Sequence, residues 1–251
     1  MKAGILTTIY NRVQHVGESL QSLADTVPPD VPVIAMDDGS TDGARAMLVA
    51  RFEDRFRVVL NPRNLGLCGS SNVGFDMLRK LGVKVFIRVN SDVLCHPGWY
   101  EGLVAAMNYP NAGVAGPVYR SFGTSGFWPN QDAHNILLSG VQRVPCVVGH
   151  CIAVAKGVLD DGFQFDEGMY PVGPCDVDLC CFSTAYGYQN VVTTGAQCTI
   201  LQAPKSTVGH QGFEYDRCFP EYQTVLRTRW GPRIYDTTIA YQYKKYPGES
   251  R

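Results

Sequence analysis

The run Val85-Phe86-Ile87-Arg88-Val89-Asn90-Ser91-Asp92 decides how this chain is read. Its first five residues form a mostly apolar run of the length of a buried strand. The run ends in a polar triplet, and Pro97-Gly98-Trp99 then suits the first turn of a helix that carries Trp99, Leu103, Val104 and Met107. An acidic residue at the carboxyl end of a buried strand is where an open α/β sheet gathers its ligands. Asp92 is therefore a candidate for gripping a metal ion and a diphosphate.

Upstream, the same pattern of strand, polar loop and helix occurs three times. Residues 3–8 read as a first strand, and Val13, Val16, Leu20 and Leu23, spaced three and four apart, predict a helix over 12–25 that Pro28-Pro29 ends. Residues 33–36 read as a second strand, followed by the turn-rich Gly39-Ser40-Thr41-Asp42-Gly43 and a helix over 44–52. Residues 57–60 read as a third strand, and a helix over 71–81 places Val73, Met77, Leu78 and Leu81 on one face. Short β-branched runs alternating with amphipathic stretches predict βα units feeding a mostly parallel sheet, an α/β fold.

Downstream, residues 112–118, 144–148 and 152–155 read as strands, and a helix over 176–186 carries Asp176 and Asp178 in its first turn, where the helix dipole favours negative charge. Residues 119–143 break into Gly, Ser, Asn and aromatic residues, a long irregular stretch that suits acceptor binding. Beyond Tyr215 the chain is rich in Tyr and Arg, including Arg227, Arg229, Trp230, Arg233, Tyr241, Tyr243, Lys244 and Lys245.

With 251 residues and 45% hydrophobic content the chain can build a real core, and a formal charge of -1 gives no bulk field to draw nucleic acid or anionic lipid. The amino terminus turns polar too soon for a signal peptide, and no apolar stretch approaches the roughly 20 residues needed to span a bilayer. The chain is expected to be soluble. Nine cysteines, an odd number scattered over strand-like, helix-like and loop segments, suit buried free thiols in a reducing compartment, with cytoplasm the expectation. Cys146, His150 and Cys151 lie close together and Cys175, Cys180 and Cys181 follow, but neither group has the paired Cys-x-x-Cys spacing of structural zinc, so core packing is expected.

If the ligand is a nucleotide, the strand-end loops have physical work to do. In Thr8-Ile9-Tyr10-Asn11 the hydroxyl and the ring can hold a base. In Asp37-Asp38-Gly39-Ser40-Thr41-Asp42-Gly43 a carboxylate can accept from a pyrimidine N3–H or a ribose hydroxyl, or Asp38 and Asp42 can make turns and cap a helix. The stretch from Asn64 to Gly74 is rich in small residues but is not the dinucleotide fingerprint: its glycines are too widely spaced and it follows the third strand. A hydride-transfer enzyme is therefore disfavoured. Small residues there allow close backbone approach to a ligand or between helix and sheet.

Taken in order, Thr-Ile-Tyr-Asn, Asp-Asp-Gly-Ser-Thr-Asp-Gly, the Asn-Leu-Gly segment, Asn-Ser-Asp-Val before Pro-Gly-Trp, and Cys-Asp-Val-Asp-Leu resemble glycosyltransferase family 2, the inverting sugar-nucleotide transferases of the GT-A fold, over residues 3–212. Each motif is weak alone, and the ordered set is specific. The Asn-Leu-Gly and Asn-Ser-Asp-Val variants look most like rhamnosyltransferase-type members. The resemblance implies a GT-A domain over 1–215, with a mostly parallel central sheet flanked by helices, and an aromatic and basic extension over 216–251 that packs on the domain or forms an interface. It also implies donor contacts from Thr8, Tyr10, Asp38, Asn64, Gly66, Asn72, Asn90 and Asp92, with Asp38 facing the base. Asp92 would hold a divalent metal, Mn2+ or Mg2+, on the diphosphate, and Asp176 would be the catalytic base.

Two departures qualify this. The family's metal motif often reads Asp-x-Asp, and here Asn90 stands first, better suited to a hydroxyl or phosphate contact. The family's Glu-Asp before the catalytic helix is Cys175-Asp176, which loses the Glu and keeps the base. His210 matches a histidine that in related enzymes completes the metal or diphosphate site, although a lone histidine is as readily packed or solvated. Leu226-Arg227-Thr228-Arg229-Trp230 lacks the Gln of the processive synthases' Gln-x-x-Arg-Trp, which points to transfer of a single sugar. Arg227 and Arg229 suit either an anionic ligand or a packed, solvated tail.

The expected function is a metal-dependent inverting transfer of one sugar from UDP, or dTDP second, to a hydroxyl of a glycan or lipid-linked saccharide. Transfer to a protein or a modified nucleic-acid base is the alternative within the class. A nucleotidyltransferase normally carries a basic Gly-rich loop after its first strand, which Thr7 to Asn11 lacks. A non-catalytic nucleotide- or glycan-binding module of the same fold would keep Asp38 while losing the base, and Asp92 and Asp176 argue against it.

Overall fold

A computed structural model describes residues 1–120, 140–169, 173–201 and 215–242. His210, most of the irregular stretch and the end of the tail lie outside the described residues. In chain order the elements are β1 (Ala3–Ile9), α1 (Val13–Thr26), β2 (Val33–Asp37), α2 (Ala44–Phe52), β3 (Arg57–Leu60), α3 (Gly66–Lys80), β4 (Val85–Asn90), β5 (Val93–Cys95), α4 (Trp99–Ala106), β6 (Ala112–Arg120), β7 (Val141–Arg143), β8 (Cys151–Ala155), α5 (Lys156–Asp160), α6 (Cys175–Ala185), β9 (Gln189–Ile200) and α7 (Tyr215–Gln242).

One mixed sheet runs in the order β3-β2-β1-β4-β8-β6-β9-β5, with β7 beside β9. The first four strands are parallel, as are β6 and β9, while β8 runs antiparallel to both β4 and β6. Because β1 lies between β2 and β4, with Thr8 opposite both Met36 and Asn90, the carboxyl ends of three parallel strands meet at one edge. Strand periodicity of two sorts the core into two layers. Ile5, Ile9, Ile87 and Val89 pack with Leu20, Leu23, Leu48, Trp99 and Leu103 on one face. Leu6, Ile34, Met36 and Phe86 pack with Phe75, Leu78, Leu179, Phe182 and Leu226 on the other. Among the described residues no helix is long and apolar enough to cross a membrane.

Two expectations are corrected. The strand read over 144–148 is not one: β7 ends at Arg143, and Cys146, Val147 and Val148 are buried in a non-regular segment whose Val147 N–H donates to Cys180 Sγ at 3.3 Å. Their apolar character reflects tertiary burial, not strand pairing. Helix α3 starts at Gly66 instead of 71, since Asn64 Oδ1 accepts the Gly66 N–H at 2.7 Å and Asp38 Oδ1 accepts the Leu65 N–H at 2.8 Å, which satisfies donors that a helix start leaves open. The sequence reading also passes over β9, whose buried Asn190, Thr193 and Thr199 give it a polar look.

Helix α4 crosses β9 at Gly102, where an added Cβ would sit 2.0 Å from the backbone oxygen of Gly195. In an open helix Gly→Ala is stabilising by about 1 kcal/mol. Here backbone blocks the methyl group, so Gly102→Ala is expected to destabilise by about 1–3 kcal/mol in urea unfolding. A neutral or stabilising result would show that α4 can slide off β9.

Candidate active site

The site is assembled at the carboxyl edge of β1, β2 and β4. Asp37, fully buried at the end of β2, builds the loop: its Oδ2 accepts from Gly39 N, Ser40 N and Arg45 Nε. Asp38, 4% exposed, follows it. Its Oδ1 accepts from Asn61 Nδ2 at 3.0 Å and from Leu65 N at 2.8 Å, and among the described residues its Oδ2 has no hydrogen bond. Asp42 takes the capping role, accepting Ala44 N at 3.1 Å and, across the gap, Val13 N at 2.9 Å. Asn11, with φ 56°, accepts Thr41 N at 2.8 Å and donates its own N–H to Ser40 Oγ at 2.7 Å, so the β1 and β2 loops are one unit.

Asp92 follows β4 at the same edge, and its backbone carbonyl accepts Leu201 N at 2.7 Å. Its carboxylate is 22% exposed and lies 3.8 Å from Arg12 and 3.7 Å from His150 Nδ1, too far for direct hydrogen bonds. Asp92 Oδ1 and Asn90 Oδ1 are buried without a hydrogen bond. Burial alone would push the Asp92 carboxyl up; His150 and Arg12 outweigh it and hold the group below the usual carboxylate value.

Asp176 sits in the first turn of α6. Its Oδ2 accepts Gly149 N at 3.0 Å, and its Oδ1 accepts the following Val177 N at 2.9 Å. Gly149 and His150 are consecutive, so one dipeptide joins the carboxylate at the start of α6 to the carboxylate after β4. The His150 carbonyl in turn accepts Asn90 N at 2.8 Å. Gly149 cannot carry a side chain: an added Cβ would lie 2.9 Å from Asp176 Cβ and 3.0 Å from an Arg88 nitrogen.

Of the residues singled out in the sequence, Thr8, Tyr10, Asp38, Asn90, Asp92 and Asp176 belong to this edge and to the segments that reach it. Asn64 and Gly66 form the start of α3. Asn72 spends its amide on the chain at 165–167: Nδ2 donates to Phe165 O and Glu167 Oε1, and Oδ1 accepts Phe165 N. A cleft of ≈ 380 Å³ beside α3, lined by Arg63, Asn64, Leu65, Gly69, Val73 and Glu167, contains none of the three key carboxylates. Arg12, Arg88 and His150 were missed. The signal for His150 is its place directly before β8, the strand antiparallel to β4, but grouped with Cys146 and Cys151 it is expected to pack in the core. Those thiols are buried and free.

Helix α7, two helical pieces joined at Gly231, closes the back of α6. Arg229 pairs with Asp178 at 3.0 Å and with Asp166 at 2.6 Å, and Trp230 Nε1 donates to Asp178 Oδ1 at 2.7 Å. Arg227 instead pairs with Asp236 on the surface. Burial raises the Asp178 carboxyl despite these donors, so its partners matter.

The mixed sheet flanked by helices, with acids near the ends of β2 and β4 and a third acid at the start of α6, has the fold of a GT-A domain. The chain belongs to glycosyl transferase family 2, whose family profile matches residues 5–163. An uncharacterized glycosyltransferase of Haemophilus influenzae is 26% identical over 149 residues, 52% of this chain and 44% of the relative, so this chain spans less than half of that relative's length. The fold matches GalNAc-T7 solved with UDP, GalNAc and Mn2+ (TM-score 0.72, 12% identity, 96% of this chain and 50% of that one). It matches Staphylococcus aureus TarS 1-349 with UDP-GlcNAc (TM-score 0.72, 14% identity, 97% and 73%). A mannosyltransferase of Pyrobaculum calidifontis with GDP-Man and Mn2+ also matches (TM-score 0.63, 17% identity, 98% and 76%).

Removing Arg229 leaves the 3% exposed Asp178 carboxylate with the Trp230 indole as its remaining donor among the described residues. Arg229→Ala is expected to cost about 1–3 kcal/mol in urea unfolding. A change within about 0.5 kcal/mol, the range of ordinary surface substitutions, would show that α7 is not latched through this pair.

Proposed function

We propose that this chain transfers a single sugar from a nucleoside diphosphate to a hydroxyl acceptor, with inversion at the anomeric carbon. The observation that carries this reading is the Gly149-His150 joint, which sets a base candidate, Asp176, beside a leaving-group carboxylate, Asp92. Asp38 presents Oδ2 to the base N3–H shared by uracil and thymine, so UDP is the first donor and dTDP the second; Thr8 and Tyr10 flank it. Fold neighbours solved with UDP, GDP-Man or UDP-GlcNAc support a nucleotide-sugar donor. A glycan or lipid-linked saccharide is the acceptor class. Buried free thiols support a reducing compartment, the cytoplasm.

The residues at Asp92 fit a divalent cation. A buried carboxylate oxygen without a hydrogen bond faces an imidazole nitrogen at 3.7 Å, and oxygen with imidazole suits Mn2+. Among the described residues no group of three His, Cys, Asp or Glu is arranged to hold a metal ion, so Mn2+ or Mg2+ would be held by Asp92 and His150 together with diphosphate oxygens and water. When bound, the cation neutralises charge that builds on the departing diphosphate. His210 stays a candidate further ligand. Asp176 takes the acceptor proton as the acceptor oxygen attacks the anomeric carbon, from the face opposite the leaving group.

Nucleoside diphosphate release over a panel of sugar nucleotides, with and without Mn2+, tests the reading, and a panel in which no donor is bound or hydrolysed sinks it. Asp176→Asn is expected to lower transfer by about 10²–10⁴-fold with donor affinity nearly unchanged. In calorimetric titration with UDP, Asp92→Asn and His150→Ala are each expected to weaken Mn2+-dependent binding by about 10-fold or more. If Asp92→Asn does so and His150→Ala does not, the imidazole is no ligand.

A further inference from the structure

Arg88 is a buried cation that the proposed mechanism does not use. It lies in β4, on the same face as Phe86 and Asn90, and is 1% exposed. Its direct partners among the described residues are neutral groups: Ser71 Oγ at 3.3 Å, Gly149 O at 3.2 Å, the face of Phe165 at 4.8 Å, and Cys175 Sγ, which both terminal nitrogens approach at 3.7 Å. Nε has no hydrogen-bond partner. Among the described residues no carboxylate forms an ion pair with it; Asp176 is near, but its carboxylate is turned to Gly149 N and Val177 N. A guanidinium sealed among neutral groups is strongly disfavoured.

We propose that Cys175 is carried as a thiolate, the counter-ion of Arg88, and that this sulfur–guanidinium pair positions the start of α6. Two donors converge on one sulfur, an arrangement that a thiol, a weak acceptor, does not reward and a thiolate does. An ordinary thiol with a pKa of about 8.5 is ionised only about 3% at neutral pH, a roughly 30-fold bias that an adjacent buried cation readily reverses. Burial holds the thiols of Cys146 and Cys151 well above the usual value. Cys175 goes the other way, lowered first by a hydrogen bond from Cys68 and then, against burial, by Arg88. Around the pair stand Cys68 and Ser71 from α3, Phe165, and Asp176, whose charge opposes ionisation. Cys68 is the protonated partner, raised far above its usual value first by its hydrogen bond to Cys175 and then by burial, with Asp166 adding to that shift.

Through Arg88 the pair also fixes Gly149 O, so it holds both sides of the Gly149–Asp176 hydrogen bond. That Asp176 acts as the base rests on the function proposed above; the charge of Cys175 does not, and the test below needs no substrate.

The experiment is an ultraviolet titration of thiolate absorbance in the ligand-free full chain between about pH 5 and 10, as wild type minus Cys175→Ser. The expected difference is one thiolate with a midpoint at least about one pH unit below 8.5. A midpoint at or above 8.5, or no titrating difference, overturns the proposal. Stability is the second readout. Because the native thiol pKa is depressed, its contribution is present above the unfolded value and is lost as pH falls through the folded one. The melting difference between wild type and Cys175→Ser should therefore widen as pH rises toward about 8.5, and a difference that is flat with pH counts against the pair. Cys175→Asp, which restores a fixed anion, should melt above Cys175→Ser at neutral pH; equal or lower melting overturns it.

Discussion

The amide hydrogen of Gly149, donated to Asp176, is the contact on which the site depends. It joins two parts of the fold that are far apart in sequence: the amino end of α6 and the start of the antiparallel strand β8, which lies against the parallel β4. Register fixes the rest. Once β8 pairs with β4 from Val89 to Cys151, His150 must fall beside the residues after β4, and its carbonyl takes the Asn90 N–H. The Gly149-His150 backbone then links the end of β4, just before Asp92, to the turn that carries Asp176. The arrangement requires a residue without a Cβ at 149, because Asp176 and Arg88 already occupy that space.

The parallel half of the fold was legible because its signals are local. Ile5, Leu6 and Ile9, the stripe of Val16, Leu20 and Leu23, and the run into Asn90-Ser91-Asp92 each carry a period that names the element and its buried face. Asp38, Asp92 and Asp176 were legible for the same reason, since each ends a strand or opens a helix. Strand β9, parallel to β6 and antiparallel to β5 and β7, was not: it is recognised by that pairing, and pairing with distant strands leaves no local period. His150 and Arg88 were obscure on similar grounds. A histidine before a strand and an arginine inside one acquire roles only when β8 is laid on β4 and α6 on both.

Arg88 shows how such a charge is tolerated. Leaving a guanidinium uncompensated in the interior costs several kcal/mol, whereas ionising an ordinary thiol at neutral pH costs about 2 kcal/mol. The balance favours charge on sulfur. The family resemblance places Glu where this chain has Cys175, and a thiolate supplies the same sign in a smaller volume. Arg229 solves a related problem one turn further along α6, where Asp178 is buried and takes its compensation from α7. Residues 175 and 178 thus bind α6 to β4 on one side and to α7 on the other, and Asp176 lies between the two anchors.

The same accounting bears on how the proposed donor arrives. With Asn90 in the first position, Asp92 is the single side-chain carboxylate that the Asn90-Ser91-Asp92 triplet offers a cation, and Arg12 and His150 already hold it in its charged form. One carboxylate shared with a nearby guanidinium makes a weak site for a free divalent ion, because a hard cation needs several oxygen ligands to replace its water. A diphosphate changes this by supplying two or more oxygens and by giving Arg12 a second anion. In the proposed reaction, cation and nucleotide therefore bind as one unit: the ion gains most of its ligands from the donor, and the donor gains its electrostatic match from the ion. In the same proposal the base is read by Asp38, whose Oδ1 is fixed by Asn61 and Leu65.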